Sequence, residues 1–159
     1  MTEVFSRPEE HELAKNSLVA TFDQGKTWRI SFELNPGEKW PQKGNIFQLT
    51  TGDKGGTNSK VFGSRSPALF LKKGEGFSIF SSIGDNPNKQ QSMGKKNLPP
   101  LEEWTPLVFE QRQEAGGEFV FAFSQDGVEK FNVTNSDPRE FPNMKVTSNQ
   151  TPFGIGLIG

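Results

Sequence analysis

The stretch Trp28-Arg29-Ile30-Ser31-Phe32-Glu33-Leu34 alternates without a break, with Trp28, Ile30, Phe32 and Leu34 on one side and Arg29, Ser31 and Glu33 on the other. A period of two sends successive side chains to opposite faces of an extended chain, so this segment predicts a strand with one face in a core and one in water. Asn35-Pro36-Gly37 stops it. Upstream, Leu18-Val19-Ala20-Thr21-Phe22 is a short apolar run ended by the turn Asp23-Gln24-Gly25. Downstream, Asn45-Ile46-Phe47-Gln48-Leu49-Thr50 reads as a strand, followed by a polar loop over residues 51–60. Ala68-Leu69-Phe70-Leu71 and Phe77-Ser78-Ile79-Phe80-Ser81 flank Lys72-Lys73-Gly74-Glu75-Gly76, the composition of a hairpin.

Residues 84–100 are polar and read as a long functional loop. Strands are expected over 104–110 and 118–124. In the second, Phe119, Phe121 and Phe123 oppose Val120 and Ala122, so both of its faces look covered. Asp126-Gly127 is a strong two-residue hairpin signal leading into 128–133, and segments 144–146 and 154–158 close the chain. There is no convincing helical pattern and no internal repeat. Roughly ten short strands at close spacing predict an all-β, two-sheet antiparallel sandwich. Its expected core is Trp28, Ile30, Phe32, Phe47, Leu69, Phe77, Ile79, Trp104, Phe119, Phe121, Phe123, Phe131 and Val146.

The bulk numbers suit that class. A chain of 159 residues is one domain long. At that size folding buries roughly two-thirds of the chain's surface, enough to hold without disulfides or a metal. Residues 1–12 read as a polar lead-in and 13–159 as a single sandwich domain. The 15 Phe and 3 Trp, spread along the chain, argue against disorder despite an apolar content of 31%. Eighteen basic and 19 acidic residues give a net charge of −1 with no basic stripe, which speaks against a nucleic-acid partner. No apolar run approaches the roughly 18 residues that span a bilayer. Residues 1–16 lack the apolar segment of a signal peptide. The chain has no Cys and no Tyr, which points either to compositional drift or to a redesigned, Tyr- and Cys-free variant.

The order of elements resembles the laminin-G/concanavalin A-like jelly-roll modules of extracellular proteins. The likeness is carried by Trp28-Arg29-Ile30-Ser31-Phe32, by Asn45-Ile46-Phe47-Gln48-Leu49-Thr50-Thr51-Gly52, by Pro100-Leu101-Glu102-Glu103-Trp104-Thr105, and by Val133-Thr134-Asn135-Ser136-Asp137-Pro138-Arg139-Glu140-Phe141. It covers most of residues 13–159. It implies a sandwich, an extracellular or secreted setting, and a role in recognition or adhesion. The superfold serves lectins, adhesion modules and glycosidases alike, so function has to be read from a site.

Catalysis finds little to work with. Retaining glycosidases need two carboxyl groups about 5–5.5 Å apart, and the strand pattern Glu-x-Asp-x-x-Glu is absent. Glu102 and Glu103 are adjacent, which in a strand sends them to opposite faces. The only histidine, His11, lies in the lead-in, and the glycines at 52–56 lack the Lys-Ser/Thr of a phosphate-binding loop. The chain therefore reads as non-enzymatic.

As a binder it offers Trp40, set among Glu38, Lys39 and Pro41. This residue either stacks on a sugar ring or plugs the sandwich edge. Polar clusters at Asp53, Thr57, Asn58 and Arg65, and at Asp85, Asn86, Asn88 and Gln90, are candidate rims. Trp40, Asp53, Asn58, Arg65, Asp85, Asn86 and Asn88 are the expected ligand-binding residues. Asp85 and Asn88 are also weak candidate calcium ligands, although Asp and Asn equally serve turns; no other cofactor is implied. Asn132-Val133-Thr134 and Asn149-Gln150-Thr151 have the form of glycosylation sequons. The expected function is lectin-like glycan binding through loops at one end of the sandwich. The alternative is a protein-protein or self-associating structural role, a homo-oligomer included, through Phe left exposed on two-faced strands.

Overall fold

The alternating segment is one strand of a two-layer β-sandwich in the computed structural model, which describes residues 10–12, 17–40, 43–52, 60–148 and 156–158. In chain order the strands are β1 (Glu10–Glu12), β2 (Ser17–Gln24), β3 (Trp28–Asn35), β4 (Gly44–Thr50), β5 (Ala68–Lys72) and β6 (Gly76–Ile83). They continue with β7 (Asn86–Ser92), β8 (Thr105–Gln113), β9 (Phe119–Gln125), β10 (Val128–Thr134), β11 (Phe141–Ser148) and β12 (Gly156–Ile158). The only helical turn among the described residues is a three-residue 3-10 turn, Lys95–Asn97. One sheet runs β1-β12-β3-β8-β9-β10 and the other β2-β11-β4-β5-β6-β7, with every pairing antiparallel. The expected two-sheet antiparallel sandwich is the observed one.

Phenylalanine fills the space between the layers. Phe109 of β8 is fully buried and meets Phe32, Phe47, Phe121 and Phe123 at centroid distances of 6.1, 5.8, 6.4 and 4.9 Å. Phe47 crosses from the opposite sheet to Phe32, edge to face at 4.7 Å. Such geometry suits ring quadrupoles as well as area burial. The two turns with the clearest sequence signals form. Asp126-Gly127 joins β9 to β10 with φ of 54° and 76°, the two positive values a type I′ turn needs. Lys72 pairs with Gly76 across the β5–β6 hairpin, where Gly76, at φ 84°, leaves no room for a Cβ: one would lie 2.3 Å from the Gly94 carbonyl oxygen.

Several expectations change. Trp104 is half-buried outside the core, because Thr105, Leu107 and Phe109 are the inward-facing residues of β8 and Trp104 has the opposite parity. Phe119 is only half-buried, lying where β9 enters the sheet opposite exposed Gln113. Ile30 and Phe131 pack on the core without full burial. Glu10–Glu12, inside the polar lead-in, pairs with β12. Residues 86–92, read as loop, are an edge strand paired to β6. The exposed large apolar side chains among the described residues are Leu18, Val61 and Val128, scattered over β2, a loop and β10.

Candidate functional site

The two faces of the second sheet follow from its register. Phe47, Leu49, Leu69, Phe77, Ile79 and Val146 point into the core. Their neighbours of opposite parity form the outer face, on which one cross-strand row reads Thr147, Gln48, Ala68, Phe80, Gln90. The next outer row reads Asn45, Phe70, Ser78, Ser92. This face carries two aromatics where a solvent-facing row would carry polar residues alone. Phe70 and Phe80 are half-buried and meet edge to face at 5.4 Å.

Arg65 lies over them. Its guanidinium carbon is 5.5 Å from the Phe70 ring centre and 5.4 Å from that of Phe80. The segment that delivers it is tied to the end of β4 by main-chain bonds: Ser66 N–H to the Leu49 carbonyl at 2.9 Å, Leu49 N–H to Pro67 at 2.8 Å, and Thr51 N–H to Gly63 at 3.0 Å. Gly63 is required there, since with φ 83° any Cβ would lie 2.8 Å from the Phe141 ring. Arg65 Nη1 donates to Asn88 Oδ1 at 3.2 Å on β7. Among the described residues that is its one hydrogen bond, leaving four of the five guanidinium N–H donors without an acceptor there. Burial pulls its pKa below the ordinary arginine value, the charged form losing hydration without a counter-charge in return.

Beside Asn88 the outer face of β7 continues with Gln90 and Ser92, joined through Gln90 Nε2 to Ser92 Oγ at 3.1 Å. At its other end the tight turn Gly84-Asp85 links Ile83 to Asn86, and Gly84 N–H donates to buried Asn135 Oδ1 at 2.9 Å. Asn86 Oδ1 accepts from the Asn88 N–H at 2.8 Å, the bond of an Asx turn. Of the two residues suggested for calcium, Asp85 and Asn88, the amide oxygen of Asn88 is thus already engaged by the Arg65 cation. No cluster of three or more His, Cys, Asp or Glu suited to a metal occurs among the described residues.

The structure therefore brings Arg65, Asn88, Asn86 and Asp85 together along β7 and its turn. It sets Trp40 apart: the indole N–H donates to the Pro99 carbonyl at 2.8 Å and the ring packs on the core, the geometry of an edge plug. Asp53, Thr57, Asn58 and Asn149 lie outside the described residues. Phe70 and Phe80 were missed as site residues. The signal was available: in Ala68-Leu69-Phe70-Leu71 and Phe77-Ser78-Ile79-Phe80, each of these rings has the parity opposite to the core-facing residues. Glu102 and Glu103 are exposed in a turn, Glu102 with φ 57°, and form no cleft-facing pair.

No family model and no curated protein matches the chain. Among solved structures it is similar to the heptameric SAP-like pentraxin of Limulus polyphemus (TM-score 0.53, 12% identity, 99% of this chain and 66% of that one). It is also similar to the endo-β-1,4-glucuronan lyase of the fungus Trichoderma reesei (0.50, 14%, 99% and 65%) and to alginate lyase Aly36B (0.51, 13%, 93% and 76%). The chain spans less than two-thirds of the length of the first two. These likenesses show a shared jelly-roll sandwich.

Proposed function

We propose that the chain is a non-enzymatic glycan-binding module of extracellular type, which takes its ligand on the outer face of β5–β7 with the Gly84-Asp85 turn as rim. The observation that carries this is the arginine held over the Phe70–Phe80 pair beside Asn88, Gln90 and Ser92. Sugar hydroxyls need donors and acceptors fixed in direction, and a sheet face supplies side chains whose backbones do not move. Two structural neighbours, the glucuronan lyase and the alginate lyase solved with an alginate tetrasaccharide, handle sugar chains on the same architecture.

The non-enzymatic part of the reading is supported by the chemistry at hand. Without Tyr or Cys, and with its single His in β1, the chain offers this face no general base beyond carboxylate and lysine. The carboxylates bordering this face are Asp85 in the rim turn and Glu75 in the β5–β6 hairpin, the latter paired with Lys72, while those at 102, 103, 110, 114 and 129 lie elsewhere. Among the described residues the exposed large apolar side chains are scattered, which favours the glycan reading over protein docking.

A glycan array probed with the purified chain, with and without excess chelator, tests the proposal. Binding to a defined sugar class, unchanged by chelator and lost in Phe80→Ala and Asn88→Ala while Trp40→Phe retains it, is the expected result. Silence across the array would remove the glycan reading. Binding lost with the metal would return the site to the Asp85–Asn88 turn as a cation site.

A further inference from the structure

The structure describes four arginines, and three of them are neutralised. Arg29 faces Glu110 at 4.0 Å, Arg112 contacts Glu110, Glu114 and Glu129 at 2.9, 2.7 and 2.7 Å, and Arg139 contacts Asp137 at 2.8 Å. Arg139 also lies over a ring, Phe62, so an aromatic neighbour does not by itself displace the carboxylate partner. Of these four, Arg65 alone has no carboxylate within ion-pair distance among the described residues, and it is the one in which burial is not outweighed by a carboxylate partner, so that its pKa falls.

A second observation points the same way. Among the described residues, buried side-chain polar atoms without a hydrogen-bond partner include Arg65 Nε, Gln48 Nε2 and Thr147 Oγ1, all on this sheet's outer side; Gln125 Oε1 belongs to the other sheet. Gln48 and Thr147 are direct cross-strand partners, 1% and 6% exposed. Two of the three outer-face atoms are N–H donors. Buried donors are ordinarily satisfied, because leaving one unpaired costs on the order of 1–3 kcal/mol. Arg65, partly desolvated and with no counter-charge among the described residues, is a cation short of acceptors.

We infer that Arg65 is an anion anchor, and that the ligand class of the proposed glycan site is an acidic sugar bearing a carboxylate, a uronic acid residue in a chain. The inference rests on the glycan reading above. A carboxylate is planar, carries one charge and accepts charge-assisted N–H bonds, matching one arginine whose terminal Nη donors are met only by Asn88 among the described residues. A tetrahedral sulfate would call for converging cations, and among the described residues Arg65 is the cation set on the Phe70–Phe80 pair. Asn88, already bonded to Nη1, sets the plane of the fork, while Gln90 and Ser92 are placed for the neighbouring hydroxyls.

The test is a titration of the chain with tetrasaccharides of galacturonate, glucuronate and mannuronate, each paired with its carboxyl-reduced counterpart. At least one acidic member is expected to bind on the order of 10- to 100-fold tighter than its reduced twin, the worth of a charged hydrogen bond. Arg65→Gln should erase that ratio, and Arg65→Lys should recover only part of it. Asn88→Asp, which sets a carboxylate against Nη1, should weaken acidic binding without unfolding the chain and serves if Arg65→Gln fails to fold. Equal binding of acidic and reduced members overturns the anchor while leaving the glycan reading intact. Acidic preference that survives both Arg65→Gln and Asn88→Asp overturns it as well. Binding of neither class removes both conclusions.

Discussion

Arg112 on one outer face and Arg65 on the other answer the same physical problem in opposite ways. Arg112 emerges from β8 into solvent and is met by Glu110, Glu114 and Glu129. The cluster holds its charge so firmly that its pKa rises and that of Glu129 falls. Arg65 is pressed against two rings, gains one neutral amide, and has its charged form disfavoured. The first arrangement needs nothing from outside. The second leaves charge and donors unspent on a face whose central residues, Gln48 and Ala68, are buried. A fold assembled only for stability would match a half-buried cation or replace it with an apolar side chain, and a polar group kept at a cost to stability is what the proposed glycan site would require.

The two faces share one core, and the largest expected effect treats them alike. Phe109→Ala removes a ring that touches four others, and should cost about 3–5 kcal/mol in urea unfolding. Glycan binding would then fall with the folded fraction. A loss much below that range would show that the layers repack around the gap and that the outer faces are less rigidly held than described.

Face-specific changes should separate the two arginines. Arg112→Met breaks three exposed ion pairs and should destabilise by about 1 kcal/mol while leaving glycan binding intact. Binding lost in that variant would put the site on the wrong sheet.

The smallest effect concerns pH. Glu129 is held below the usual carboxylate range, chiefly by its hydrogen bond from Arg112 and then by that from Asn132. Its folded pKa is lower than its unfolded one, so its contribution is complete above about pH 4.3 and is lost as pH falls through the folded value. The stability difference between wild type and Arg112→Met should therefore narrow in acid. With both partners solvent-screened, the change is a fraction of about 1 kcal/mol. A gap that widens in acid would contradict the assignment.

The sequence made some of this legible for definite reasons. Trp28 to Leu34 alternates because one side of β3, beside Leu107 and Phe109 of β8, faces the other sheet, where Phe32 meets Phe47, while the other side meets water. Asp126-Gly127 reads as a turn because few other pairs accept two positive φ angles. Strand β7 was hidden: Asn86-Pro87-Asn88-Lys89-Gln90-Gln91-Ser92 is polar on both sides and carries a proline, so neither alternation nor propensity announces an edge strand. Arg65 reads as a polar candidate beside its chain neighbours Asp53, Thr57 and Asn58. Its working neighbours, Phe70, Phe80 and Asn88, come from three different strands, and the sheet register that unites them is set by long-range packing. Trp40 shows the reverse case, an aromatic in polar sequence whose N–H is satisfied by Pro99, 59 residues away.

The most direct measurement is a paired one on Arg65→Met: unfolding free energy by urea, and affinity for uronate tetrasaccharides, each against wild type. Stability equal to or above wild type, together with affinity reduced on the order of 10- to 100-fold, is the predicted result. A stability loss like that of Arg112→Met, with affinity unchanged, would show that Arg65 serves the fold and would contradict the account.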